Sequence, residues 1–188
     1  MLLRWIVVGL GNPGIQFQNT PHNLGFEVVN LLATEKGAHW RLEDSDALVT
    51  EIRIAESEMI LAKPQTLMNL SGRSVVSLLE KFGLFARDLI VTCDDLALPF
   101  GKIRVRGHGR SGGHKGLESI IEELDCNEFI RVRLGIGPGN EPFDAATYVL
   151  QPIASELRDQ AIQMTTQGKE AVKTICFSGL HTAMNQFN

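Results

Sequence analysis

Trp5-Ile6-Val7-Val8-Gly9-Leu10-Gly11-Asn12-Pro13-Gly14 sets an apolar run of strand length against a glycine-rich turn. Such a run, bounded by turn residues and lacking a helical period, reads as a buried strand. The next patterned segment, residues 23–35, carries Leu24, Val28, Leu31 and Leu32 on one helical face, the stripe of a helix that covers a sheet. Strand, turn and covering helix open an α/β layer, and the alternation continues down the chain. Further strands are expected at 47–54, 59–62, 89–93, 101–106 and 129–136, with helices at 71–84, 114–124, 154–175 and 180–185. Residues 47–54 and 59–62 are joined too closely for a helical crossover, so the sheet is expected to be mixed.

The 188 residues fit one domain, 1–188, with 44% hydrophobic and 21% charged residues, a balance that excludes a disordered chain. The run 2–8 is broken by Arg4; it is far short of the ~18 apolar residues that span a bilayer and has no signal-peptide layout, so no membrane partner is expected. Cys93, Cys126 and Cys176 are odd in number and widely spaced. They suggest neither a disulfide framework nor cysteine-bound zinc, and they fit a reducing cytoplasm. The loosest segment is the turn cluster 135–142, too short to separate domains. A net charge of -4 argues against global attraction to nucleic acid. The average conceals residues 96–117, which hold five Lys/Arg and no Asp/Glu.

The turn 9–14 matches G-x-G-x-x-G. A dinucleotide site needs a helix opening directly on those glycines, whereas 15–22 is a polar loop. The glycines instead let the backbone approach a ligand while Asn12 turns its amide into a crevice at the carboxyl end of the strand. His22 stands at a helix start. Alone it is a surface imidazole; beside Asn12 it becomes a candidate general base, and Asp94 is the carboxylate best placed to orient it. Asp94 and Asp95 follow strand 89–93, and strand alternation gives them different roles. In Lys63-Pro-Gln-Thr-Leu-Met-Asn-Leu-Ser-Gly72, Thr66, Asn69 and Ser71 can cap the next helix. The functional reading has Asn69 present a fixed amide to a polarised oxygen, with Leu67 and Met68 as an apolar wall. Lys102, Arg104 and Arg106 alternate on one strand face, and Arg131 and Arg133 repeat the pattern. A solvated face is the plain explanation, but the glycine-rich 107–113 runs into a helix N-terminus suited to phosphate, and a phosphate-bearing partner is favoured. His22, His108, His114 and Asp94 carry no local metal-ligand signature, so no metal is expected.

Taken together and in order, Gly9-Leu-Gly-Asn-Pro-Gly14, Thr20-Pro-His-Asn-Leu-Gly25, the 63–72 segment, Asp94-Asp-Leu-Ala-Leu-Pro-Phe-Gly101, Ser111-Gly-Gly-His-Lys-Gly-Leu117, Phe129-Ile-Arg-Val-Arg-Leu-Gly-Ile-Gly137 and Ala183-Met-Asn185 resemble the bacterial-type peptidyl-tRNA hydrolases over nearly the whole chain. The resemblance implies a single α/β domain, a twisted mixed sheet flanked by helices of phosphorylase/hydrolase-like type. It implies a cytoplasmic monomer without cofactor or metal that cleaves the ester between peptide and tRNA and so recycles tRNA from stalled translation. His22 would be the catalytic base and Asp94 its partner. Asn12, Phe17, Met68, Asn69, His114 and Lys115 would bind the nascent peptide and the tRNA 3' end, and Arg106 and Arg133 would clamp the tRNA 5'-phosphate beside the acceptor stem. The chain departs from the family's frequent residues at Lys115 (Asn), Pro21 (Arg), Phe17 (Tyr) and Ala97 (Asp). The alternative is a non-catalytic RNA-binding relative that acts with a protein partner.

Overall fold

The computed structural model describes residues 3–138 and 143–188. Strands β1 (Leu3–Gly9), β2 (Arg41–Glu43), β3 (Ala47–Ile54), β4 (Ser57–Pro64), β5 (Leu89–Pro99), β6 (Ile103–Arg106) and β7 (Ile130–Gly137) form one sheet, ordered β2-β3-β4-β1-β5-β7-β6. β1 lies between β4 and β5 and is parallel to both, and β5 is parallel to β7. The β2–β3, β3–β4 and β6–β7 pairs are antiparallel, so the sheet is mixed.

The helices are α1 (Leu24–Glu35), α2 (Ser71–Phe82), α3 (Lys115–Leu124), α4 (Ala145–Tyr148), α5 (Arg158–Ser178) and α6 (Leu180–Phe187). The central strands are apolar on both faces because both are covered. Val7 and Ile90 face α1 and α5, while Ile6, Val8, Val91 and Cys93 face α2 and α3. Glycines press α1 onto the sheet: a Cβ on Gly9 would stand 2.3 Å from the Gly25 carbonyl oxygen, and one on Gly25 2.3 Å from that of Thr92. That close approach accounts for Gly9 without a nucleotide, and 3-10 turns at Ile15–Phe17 and Pro21–Asn23 separate the turn 9–14 from α1.

Several boundaries differ from expectation. β5 continues through Asp94 and Asp95 to Pro99, so both aspartates lie within a strand rather than past its end. β6 starts at Ile103 because Gly101, at φ +86°, still belongs to the preceding turn. α5 starts at Arg158, after a 3-10 turn at Ser155–Leu157. β2 and α4 were not expected; three and four residues are too few to show a period. Of the turn cluster expected at 135–142, residues 139–142 lie outside the described residues.

Candidate active site

The carboxyl ends of β1, β4 and β5 and the start of α3 surround a cleft of about 940 Å³. Asn12, His22, Met68, Asn69, Asp94, His114, Lys115 and Arg133 line it, as eight of the ten site residues expected from sequence. At its base His22 Nδ1 lies 2.9 Å from Asp94 Oδ1, and His114 Nε2 lies 2.9 Å from the same oxygen. Asp94 is 3% exposed. Its burial works against ionisation, but His114 and then His22 outweigh that cost and hold the carboxyl well below the usual range. A carboxylate accepts only, so His22 donates from Nδ1 and its Nε2 carries the lone pair. His22 itself is placed by its backbone N–H, which donates to the Val149 carbonyl at 3.0 Å.

Asn12 is fixed by neighbours that sequence reading passed over. The Asn23 side chain bonds both its N–H (2.8 Å) and its carbonyl (2.9 Å). Asn12 Oδ1 accepts the Met68 N–H at 2.9 Å. That last bond settles the amide's orientation, leaving Nδ2 with no hydrogen-bond partner among the described residues. Asn69, expected as a fixed donor, lines the cleft but is exposed, and no side-chain hydrogen bond among the described residues holds its amide. The capping reading of 63–72 also fails. α2 has no side-chain cap, because Ser71 Oγ donates to the Met68 carbonyl and Thr66 Oγ1 is buried without a partner. Lys63 turns away, bonding Asn30 Oδ1 at 2.7 Å and lying 4.1 Å over the Trp40 ring.

Phe17 does not line the cleft; it sits half-buried in the first 3-10 turn. Arg106 is also outside it, its Nη1 bonded to the Val105 carbonyl. Arg133 reaches the cleft edge, where it bonds Asp95 Oδ2 at 3.0 Å and the Arg110 carbonyl at 2.9 Å. Asp95 thus serves Arg133 while Asp94 serves the imidazoles, a division of roles between the two aspartates. Arg131, fully buried, holds the Gly109 and Asn127 carbonyls. Burial first, then Arg133, lowers its pKa to about 10. The two arginines therefore staple the 107–113 loop to β7. A phosphate on the α3 N-terminus would find the Gly116 and Leu117 N–H groups already bonded to His114 Nδ1, at 3.1 and 3.3 Å. Lys115 pairs with Glu118 at 2.8 Å on the cleft rim.

His22, Asp94 and His114 bring three possible metal-ligating atoms within 4.8 Å of one another; His108 is not among them. To ligate through Nε2, neutral His114 would have to carry its proton on Nδ1, which faces two N–H donors. With its proton on Nε2, His114 offers no lone pair there to a metal.

A protein-family model described as peptidyl-tRNA hydrolase matches residues 6–188. A peptidyl-tRNA hydrolase of Koribacter versatilis is 45% identical over 184 residues, covering 97% of this chain and 92% of its own length. One of Chloroflexus aurantiacus is 42% identical over 185 residues, covering 98% of each. The crystal structure of peptidyl-tRNA hydrolase from Acinetobacter baumannii superposes with a TM-score of 0.92 at 30% identity, covering 100% of this chain and 96% of that one. Arabidopsis thaliana 5'-methylthioadenosine nucleosidase, at TM-score 0.53 and 8% identity, shares the fold alone.

Proposed function

Because the chain belongs to the peptidyl-tRNA hydrolase family, we propose that His22 and Asp94 perform the family's hydrolysis of peptidyl-tRNA, with His22 as general base. The carrying observation is the 2.9 Å contact between His22 Nδ1 and Asp94 Oδ1 at the base of the cleft, which leaves Nε2 free to take a proton. Water loses that proton to Nε2 as its oxygen attacks the ester carbonyl, and Asp94 stabilises the imidazolium formed. The Asn12 Nδ2 amide, with that of Asn69, donates to the developing oxyanion. Collapse breaks the ester bond; the imidazolium returns the proton to the ribose oxygen, releasing peptide acid and tRNA. Leu67, Met68 and Leu150 give the peptide an apolar wall. Phe17, His114 and Lys115 complete the substrate-binding set carried over from the resemblance.

Arg106 and Arg133 take a tRNA phosphate beside the cleft. Register supports this: Arg104 stands opposite Arg133, and Arg106 opposite Arg131, across the β6–β7 ladder. Like charges directly opposite are destabilising; Asp95 already offsets Arg133 and Arg131 is buried, so a phosphate would relieve chiefly Arg106. The chain works as a monomer in a reducing cytoplasm, in keeping with a translation family and free Cys93, Cys126 and Cys176. No helix of the described residues is long and apolar enough to cross a membrane. A non-catalytic RNA-binding role is not favoured, since it has no use for an oriented base at the bottom of a cleft.

The test is incubation with purified N-blocked aminoacyl-tRNA, with and without EDTA, following ester cleavage. Cleavage should be insensitive to the chelator. His22→Ala should bind the substrate as the parent does and lose about 10²–10⁴ in kcat; an unchanged kcat would remove His22 from the mechanism.

A further inference from the structure

His114 meets the site at both ends of its ring. Nδ1 accepts the Gly116 and Leu117 N–H groups, closing the N-terminus of α3, and that leaves the ring proton on Nε2, which faces Asp94 Oδ1 at 2.9 Å. His22 donates to the same oxygen from the other side, its ring centroid 4.9 Å from that of His114. No side chain among the described residues bonds Asp94 Oδ2, so the two imidazoles alone set the carboxylate's rotation.

From this arrangement we propose that His114 is a positioning residue: a helix cap that carries the α3 N-terminus through its ring to Asp94 and so fixes which nitrogen of His22 faces the cleft. Three features make the relay rigid. The cap is made by backbone N–H groups, which do not change rotamer. The ring side chain is 8% exposed, so water does not compete for Nε2. Gly116 brings α3 down onto the site, where a Cβ would stand 2.6 Å from Met68 Sδ and 3.1 Å from His114 Cε1. Hydrogen bonds in such a chain polarise one another, so two N–H donors at one end make Nε2–H a stronger donor at the other. The positive end of the helix dipole thus reaches a carboxylate that lies beyond the helix itself. Of the other charged or titratable groups around Asp94, Cys93 and Asp95 flank it on β5 and Arg133 of β7 lines the same cleft, and Asp95 is already paired with Arg133. Among the described residues only the two imidazoles meet the carboxylate directly. The proposal rests on His22 being the base.

Two substitutions separate the two ends of the ring. His114→Asn places an oxygen where Nδ1 was and keeps the cap, but its amide falls short of Asp94. His114→Gln extends an N–H toward Asp94 and gives a poor cap. The Asn variant should melt like the parent and lose about 100-fold in kcat with KM within about twofold, while the Gln variant should melt lower and stay within about tenfold in kcat. The reverse order in kcat would reduce His114 to a cap. A rise in KM with kcat unchanged in both variants would make it a substrate-binding group, and kcat and KM both equal in all three proteins would deny it any part in turnover. Nitrogen-15 spectra of the imidazoles give a readout that needs no turnover: the proton is expected on Nε2 of His114 and on Nδ1 of His22. His114 protonated on Nδ1 overturns the relay even if His22→Ala confirms the base. The expected tautomers with an active His22→Ala protein would instead leave the relay standing and sink the base.

Discussion

Asp94 accepts both imidazoles on one oxygen, and that detail predicts how its variants rank. Asn at position 94 can keep its carbonyl oxygen where Oδ1 was and hold both rings in register, losing only the charge. A charge-assisted bond exceeds a neutral one by about 1–2 kcal/mol, so Asp94→Asn should lose roughly 5- to 30-fold in kcat. Ala at the same position removes the tautomer control as well and should lose about 10²–10⁴. Steady-state kinetics on the two variants checks the order, and equal losses would mean that charge, rather than orientation, is what Asp94 supplies. The pairing of His22 with Asp94 could be read from the sequence because residue type, and the position of Asp94 just past the apolar run 89–93, both pointed to it. Asn23 could not, since it bonds the backbone of Asn12 and nothing in its neighbourhood marks that contact. Nor could the cap at His114: histidine is not among the usual capping residues, so a search for Ser, Thr, Asp or Asn before α3 passes over it.

At the level of elements, the cations read as one alternating face are divided between two tasks. Arg131 and Arg133 hold the carbonyls of the 107–113 loop, whereas Arg104, across the ladder, is exposed, and Arg106 bonds only a neighbouring carbonyl. Period 2 revealed the shared face but not the loop that folds over half of it, because loop placement depends on contacts distant in sequence. The register makes Arg106 a stability cost in the free protein. Arg106→Gln relieves its repulsion with Arg131 and should raise stability by about 0.2–1 kcal/mol in urea melts. The same change should raise KM for tRNA bearing a 5'-phosphate, spare tRNA lacking it, and shallow the salt dependence of binding by about one counterion. A KM change of equal size on both tRNAs would place the phosphate grip elsewhere. β2 and α4 were unreadable for a different reason: β2 is fixed by pairing with β3, and α4 by the Asp144 side chain that caps it.

Across the whole molecule, the two faces of the sheet are tied to the site by different forces, and pH separates them. On the face of α1 and α5, Glu35 accepts from Lys169 at 2.8 Å and Lys173 at 3.0 Å, joining the helix that follows His22 to the long helix α5. The Lys169 bond first, then that of Lys173, lowers the Glu35 pKa from 4.5 to about 2. On the other face, α3 reaches the site through His114 and Asp94, whose carboxyl is also held low. A carboxyl with a lowered folded-state pKa adds stability that is fully present above its unfolded value and is lost as pH falls through the folded one. Stability in urea should therefore be nearly flat from pH 7 to about 5 and fall progressively below about 4.5. Glu35→Gln should shallow that fall by no more than about 1 kcal/mol, because its ion pairs are partly open to solvent, and ~1 M salt should mimic the substitution by screening them. Asp94 is buried and screened far less, so part of the acid loss that remains in the Glu35 variant at high salt should be removed by Asp94→Asn. A stability that already declines between pH 7 and 5, or a Glu35→Gln profile identical to the parent's, would show that neither carboxylate sets the acid limit of the fold.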